Sequence, residues 1–186
     1  MSFVSNSLVV SLATTHVSIA QLPVMLTVEK VASAAYWTAR FVAQLSANTS
    51  QPVAVLGLNP HAGEGGLFGS EEQQIIKPAI ERARTRLAED AILIELVGPL
   101  PAESAIRRAV HEHAYSACVA MYHDQATIPA KLISFGEAVN VTLGLPIVRT
   151  SVDHGTGYDI AGQGIADSRG MQAALTLAAQ LVHSYK

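Results

Sequence analysis

The stretch Val53-Ala-Val-Leu-Gly-Leu58, followed by Asn59-Pro-His-Ala-Gly-Glu-Gly-Gly-Leu-Phe-Gly69, decides the fold. Its first six residues are apolar and read as a buried strand. The glycine-rich part reads as a loop whose backbone can approach a ligand closely. Ser70 then opens a helix, with Gln73 completing a capping box and Glu71 and Glu72 in the first turn. Strand, glycine loop and helix in that order make a common ligand site of α/β proteins. The loop carries His61 and Glu64, which can bind a metal or move a proton. Its Gly63-Glu64-Gly65-Gly66 cluster fits neither the P-loop nor the dinucleotide fingerprint, so a tight turn is the better reading than a phosphate cradle.

Similar units lie on either side. Downstream, the Ser70 helix runs to about Glu89, bent or split at Pro78. A strand is expected at Ile92–Leu96, a turn at Gly98–Pro101 and a helix at Ala102–Glu112, whose end carries His111 and His113 as polar C-terminal residues. Ala117–Tyr122 reads as a strand running into His123-Asp124-Gln125, and Ala126–Phe135 as a helix. Upstream, Leu8–Ala13 reads as a strand ending near His16. Val28, Val31, Ala32, Ala35, Ala39 and Val42 recur at helical spacing over Thr27–Leu45, and Ala47–Pro52 is polar turn material. Strands at Val139–Leu143 and Ile147–Thr150, a second glycine-rich loop at Asp153–Gln163 and a helix capped by Asp167 or Ser168 complete the chain. This alternation predicts an α/β layered fold with a largely parallel sheet. Its ligands should bind beyond the strand C-terminal ends, where His16, His61 and His123 all fall.

Of the 186 residues, 49% are apolar and 15% charged, which argues against disorder and for one domain with a core or two very small ones. The formal net charge of −3 gives no sign of a nucleic-acid partner. The one cysteine, Cys118, lies in an apolar run and reads as a buried thiol in a reducing compartment. No run is long enough to span a bilayer, and the first residues lack a secretory pattern, so a cytoplasmic protein without a membrane partner is expected.

Three histidines at strand ends can share one divalent cation and leave positions open for substrate. Each, taken alone, reads more readily as a histidine hydrogen-bonded at a loop mouth. Asp124 can orient His123 or act as a general base. Lys131, Asn140 and Arg149 suit an anionic, phosphorylated substrate if they share a pocket, and are surface or turn residues if they do not.

Gly57-Leu-Asn-Pro-His-Ala-Gly-Glu-Gly-Gly66, Met121-Tyr-His-Asp-Gln125, Asn140-Val-Thr-Leu-Gly-Leu-Pro146 and Arg149-Thr-Ser-Val-Asp-His-Gly-Thr156 together resemble the 4-hydroxythreonine-4-phosphate dehydrogenases. The His154-to-Gly162 segment also resembles the cofactor loop of isocitrate and isopropylmalate dehydrogenases, whose fold that family shares. The resemblance implies oxidation, with decarboxylation, of 4-phosphooxy-L-threonine on the way to pyridoxal phosphate. It implies NAD, or NADP, as cofactor and a divalent metal (Zn, Mg or Co) held by His16, His61 and His123. It further implies Lys131, Asn140 and Arg149 on substrate, Asp124 in proton transfer, and His154, Gly155 and Asp159 on cofactor. A homodimer with a shared metal site is the implied assembly.

Two departures accompany the resemblance. The family's glycine- and proline-rich N-terminal strand–loop and its Gly-His-Thr-Glu segment are absent, so the chain corresponds to a C-terminal portion. Residues 1–150 would then form the metal-, substrate-binding and dimerisation domain. Residues 151–186 would be the cofactor loop and helix remnant of the family's discontinuous first domain. Ala126 also stands where the family usually has glycine. Alternatives are a dehydrogenase of a threonate or erythronate phosphate, a non-catalytic metal-binding dimerisation fragment and, more remotely, a zinc hydrolase.

Overall fold

The computed structural model describes residues 1–45 and 50–184. Residues 47–49 of the expected turn at 47–52 and the last two residues lie outside that range. The chain begins with β1 (Ser2–Val4), which folds back antiparallel onto β2 (Val9–Leu12), with Phe3 opposite Val10. A short helix, α1 (Leu22–Met25), leads to α2 (Val28–Leu45). Next come β3 (Val53–Leu56), α3 (Lys77–Glu89), β4 (Leu96–Leu100), α4 (Ala102–Glu112) and β5 (Ala117–Ala120). The chain closes with α5 (His123–Ile133), β6 (Val139–Val141), β7 (Thr150–Val152) and α6 (Arg169–Ser184).

All seven strands form one sheet in the order β4-β3-β5-β2-β1-β6-β7. The pairings β4–β3, β3–β5 and β5–β2 are parallel, whereas β2–β1, β1–β6 and β6–β7 are antiparallel. The sheet is therefore mixed, where the sequence pattern led to a largely parallel one. The unread strand β1 begins the difference, because its tight connection to β2 makes it antiparallel, and β6 and β7 then alternate in direction beyond it. With only three residues, β1 is too short to show a period.

Side chains alternate across the parallel half. Val53, Val55 and Val119 pack under α2 and α3, while Ala54, Leu56, Cys118 and Ala120 pack against α4 and α5. Both faces are covered by helices, so these strands read as continuous apolar runs. On the antiparallel half, Val4, Val139 and Val141 meet Ala174, Leu177 and Leu181 of α6 and Phe41 of α2. The expected boundary between residues 150 and 151 falls inside β7, which pairs with β6 in the common sheet.

Three elements differ from their expected positions. The strand expected at Ile92–Leu96 begins at Leu96, because Ala91 turns left-handed and the Ile92 N–H bonds back to the Leu87 carbonyl to close α3. Pro99, expected in a turn, is tolerated in β4 because that strand is at the sheet edge. The last strand lies at Thr150–Val152 rather than Ile147–Thr150, leaving Arg149 just before it. Finally, α5 starts at His123 instead of Ala126, so His123, Asp124 and Gln125 form its first turn. Among the described residues no helix is long and apolar enough to cross a membrane.

Candidate metal and substrate site

The C-terminal ends of β2, β3 and β5 lie side by side, and specific hydrogen bonds hold them there. Beyond β2, the Ala13 N–H donates to the Ala120 carbonyl at 2.8 Å and the Thr14 hydroxyl to the Met121 carbonyl at 2.7 Å. Gln125, in the first turn of α5, accepts from the Met121 N–H at 2.7 Å and donates to the Gly57 carbonyl at 2.8 Å. One side chain thus ties the end of β5 to the end of β3.

This arrangement brings His16 and His123 together, with ring centroids 5.6 Å apart. Nδ1 of His123 lies 2.7 Å from Oδ1 of Asp124 and 3.4 Å from the Thr127 hydroxyl. A carboxylate on one ring nitrogen fixes the ring and leaves Nε2 for a ligand, the usual arrangement around metal-binding histidines. The donor chemistry of the pair therefore suits a divalent cation. His61 is not with them: its exposed ring packs near Phe68, at 6.2 Å between centroids. Among the described residues no three His, Cys, Asp or Glu side chains come together as a metal cluster within the chain.

The loop carrying His61 has an unusual backbone. His61, Ala62, Gly63, Glu64 and Gly65 have φ of 53, 53, 78, 42 and 70°, a left-handed run. For the three residues that are not glycine this is strained by about 1–3 kcal/mol each, and such strain persists only where the surroundings impose it. The surroundings are Glu72, in a widened helical turn (Glu72–Ile76) ahead of α3. Its carboxylate accepts from the Leu58 N–H at 2.8 Å, the Asn59 N–H at 2.7 Å and the Asn59 side-chain amide at 3.0 Å. Burial by itself would raise its pKa, but these donors hold the carboxyl below its ordinary value. The capping hydroxyl expected of Ser70 makes no such bond; its carbonyl accepts from the Gln73 and Gln74 N–H groups instead.

Lys131, Asn140 and Arg149 do not share a pocket. Lys131 lines a cavity of about 480 Å³ together with Phe135, Asp153, His154, Gly155 and Asp167. Burial pushes the Asp153 carboxyl above its ordinary value, opposed by the charges of Lys131, His123 and His154. Asn140 lies on β6, its amide 3.5 Å from the Met1 sulfur and its Oδ1 buried without a partner among the described residues. Arg149 is exposed and donates to the Thr142 hydroxyl at 2.8 Å. In the second glycine loop, Nδ1 of His154 lies 2.7 Å from the Gly155 carbonyl, and the Asp159 carbonyl accepts from Gln163. Asp159 is exposed and does not line the cavity.

Residues 1–178 match the model of the pyridoxal phosphate biosynthetic protein PdxA family. The chain belongs to this family. A PdxA relative from Trichlorobacter lovleyi, named 4-hydroxythreonine-4-phosphate dehydrogenase, is 46% identical over 97% of the chain and 52% of its own length. One of the same name from Desulfosudis oleivorans is 48% identical over 96% of the chain and 51% of its own length. The crystal structure of the Klebsiella pneumoniae dehydrogenase superposes with a TM-score of 0.79 at 40% identity, covering 97% of this chain and 53% of that one. A terephthalate 1,2-cis-dihydrodiol dehydrogenase from Burkholderia xenovorans also superposes, with a TM-score of 0.72 at 32% identity over 96% of this chain and 54% of its own. The chain spans about half the length of the curated relatives it matches. Its α/β fold with helices on both faces of the sheet is the isocitrate/isopropylmalate dehydrogenase-like fold of the PdxA enzymes.

Glu72, Gln125 and Asp153 were not singled out as site residues by sequence. A signal existed for Glu72, which falls in register with the buried stripe Ile76, Ile80, Ala83 and Leu87. A carboxylate on a core-facing stripe calls for a partner. Gln125 and Asp153 stood within recognisable motifs, but only the tertiary structure shows what each touches.

Proposed function

We propose that this chain is the metal- and substrate-binding part of an NAD(P)-dependent 4-hydroxythreonine-4-phosphate dehydrogenase of pyridoxal phosphate synthesis, working as a cytoplasmic homodimer. The observation that carries this reading is the His16–His123 pair at 5.6 Å, backed by Asp124 at the ends of β2 and β5. In the reading, His16 and His123 of one protomer hold the cation (Zn, Mg or Co) with a His61 that approaches from the other. The cation supplies Lewis acidity toward the substrate hydroxyl, and NAD or NADP supplies the hydride acceptor. The remaining work falls to the chain's own side chains. Asp124 orients His123 and stands ready to accept the hydroxyl proton. Lys131, lining the 480 Å³ cavity, attracts the anionic end of the substrate. Asn140 and Arg149, outside that cavity, add further anion-binding and polar groups in this reading. His154, Gly155 and Asp159 meet the cofactor.

The test is NAD(P) reduction with 4-phosphooxy-L-threonine and added Zn²⁺, Mg²⁺ or Co²⁺, by the chain alone and after mixing with the N-terminal half of a relative. Turnover in either case supports the reading. His-dependent metal binding with no turnover in both would leave a non-catalytic metal-binding fragment. A second reading has its own observation: Arg149 lies apart from the Lys131 cavity, and a dihydrodiol dehydrogenase shares the fold. A substrate panel including threonate and erythronate phosphates separates the two.

A further inference from the structure

We propose that Glu72 is the positioning residue of the His61 loop: its buried carboxylate sets where the imidazole stands beyond the end of β3. The inference rests on His61 being a metal ligand and adds the residue that aims it. Glu72 is only 2% exposed, and among the described residues no lysine, arginine or histidine forms an ion pair with it. A carboxylate is tolerated in such a place only when donors satisfy it. The donors it has are the two backbone N–H groups immediately before the left-handed run and the side chain of Asn59.

The loop is held from its other side as well. A Cβ at Gly63 would stand 2.6 Å from Oε2 of Glu72, so the chain after His61 passes directly against the same carboxylate. A Cβ at Gly57 would stand 2.8 Å from the Ala62 backbone and 3.2 Å from Oε1 of Glu72. Residues 57–59 and 63 therefore close on Glu72 from both directions, and His61 is the residue at the turn between them. The loop's own backbone bonds, Ala62 to Asn59 at 3.1 Å, Leu67 to Glu64 at 3.4 Å and Phe68 to Gly63 at 3.2 Å, are internal to it, and Glu71 holds only the Asn59 side chain, at 2.8 Å. Glu72 is the first residue of the widened turn at Glu72–Ile76 that precedes α3.

A brace that served stability alone would not distinguish His61 from any other residue, and this difference sets the test. Co²⁺ binding to the full chain is measured by calorimetry and visible absorption in Glu72→Leu and Glu72→Gln, each with and without His61→Ala. Glu72→Leu should weaken Co²⁺ binding roughly 10- to 100-fold. Glu72→Gln, whose amide oxygen still accepts from Leu58 and Asn59, should stay within about threefold of the starting chain. Both effects should vanish in the His61→Ala background, where there is no ligand left to aim. If circular dichroism shows Glu72→Leu unfolded, Glu72→Asp replaces it with the same expectation, since it keeps the charge on an arm one methylene short. Unchanged Co²⁺ binding in the folded variant, or an equal loss with and without His61, overturns the proposal. A different result, His61→Ala leaving Co²⁺ binding intact, removes His61 from the metal site and overturns the metal reading itself.

Discussion

Gly63 shows how little freedom the His61 loop has. Its φ is +78°, and a Cβ there would meet Oε2 of Glu72 at 2.6 Å. Gly65 has a similar φ of +70° with nothing within 4 Å of such a Cβ. Gly65→Ala should therefore show the left-handed penalty alone, about 1 kcal/mol, whereas Gly63→Ala adds a clash with a fixed carboxylate and should lose at least about 2 kcal/mol, a fall of roughly 4–8 °C in Tm. Thermal unfolding of the two variants checks this, and equal losses would refute the clash. Glu72 makes a second prediction, in pH. Its folded-state pKa lies below the ordinary 4.5, so the stability from its hydrogen bonds is complete above that pH and drains as pH falls through the lower folded value. The stability gap between the starting chain and Glu72→Gln should accordingly narrow in acid urea titrations and stay constant between pH 6 and 8. Asp153 runs the opposite way: its raised pKa means the ionised group opposes folding once pH exceeds its folded value, so Asp153→Asn should be neutral or stabilising at pH 7.

Among the secondary elements, α5 shows most clearly what sequence could and could not convey. Its apolar positions point to a helix from Ala126, but the polar triplet His123-Asp124-Gln125 reads as the ending of the strand before it. Tyr122 is extended at φ −145°, ψ 169°, and the helix begins immediately after it. The triplet is polar because its side chains serve the strand ends, not because it is a turn. Gln125→Ala should leave the Met121 N–H and the Gly57 carbonyl without partners, each worth about 1–3 kcal/mol, so a loss of roughly 2–6 kcal/mol in urea unfolding is expected. The elements legible in sequence, β2, β3, β5, α2 and α4, each have their own period and a bounded apolar run. Those missed or misplaced carry no such local signal: β1 and β7 have three residues each, too few for a period, and β4 contains Gly98 and Pro99. The site divides the same way. His16, His61 and His123 were readable as strand-end residues, whereas Glu72 acts on groups 13 and 14 residues away and Gln125 on one 68 away.

At the scale of the whole molecule, the proposed site does not come together within one chain. Ile128 and Leu132 on α5 and Phe135 beyond it are 57%, 81% and 80% exposed, an apolar stripe beside Lys131 that a solitary domain would not be expected to present. The proposed metal ligands are also divided, with His16 and His123 paired and His61 apart. If two copies complete each other, the histidine pair of one and the His61 of the other should form each site, twice per symmetric dimer. This predicts complementation between two inactive variants. His61→Ala alone keeps the pair but loses the third ligand, and His123→Ala alone loses the pair; each should bind Co²⁺ weakly. Mixed after dissociation and reassociation, half of the dimers combine one of each, and each such dimer regains one intact site of two, so roughly a quarter of the wild-type Co²⁺ capacity should return. Sedimentation would confirm that the mixture is dimeric. Recovery of no high-affinity Co²⁺ binding in a dimeric mixture would place all three histidines of a site on the same chain.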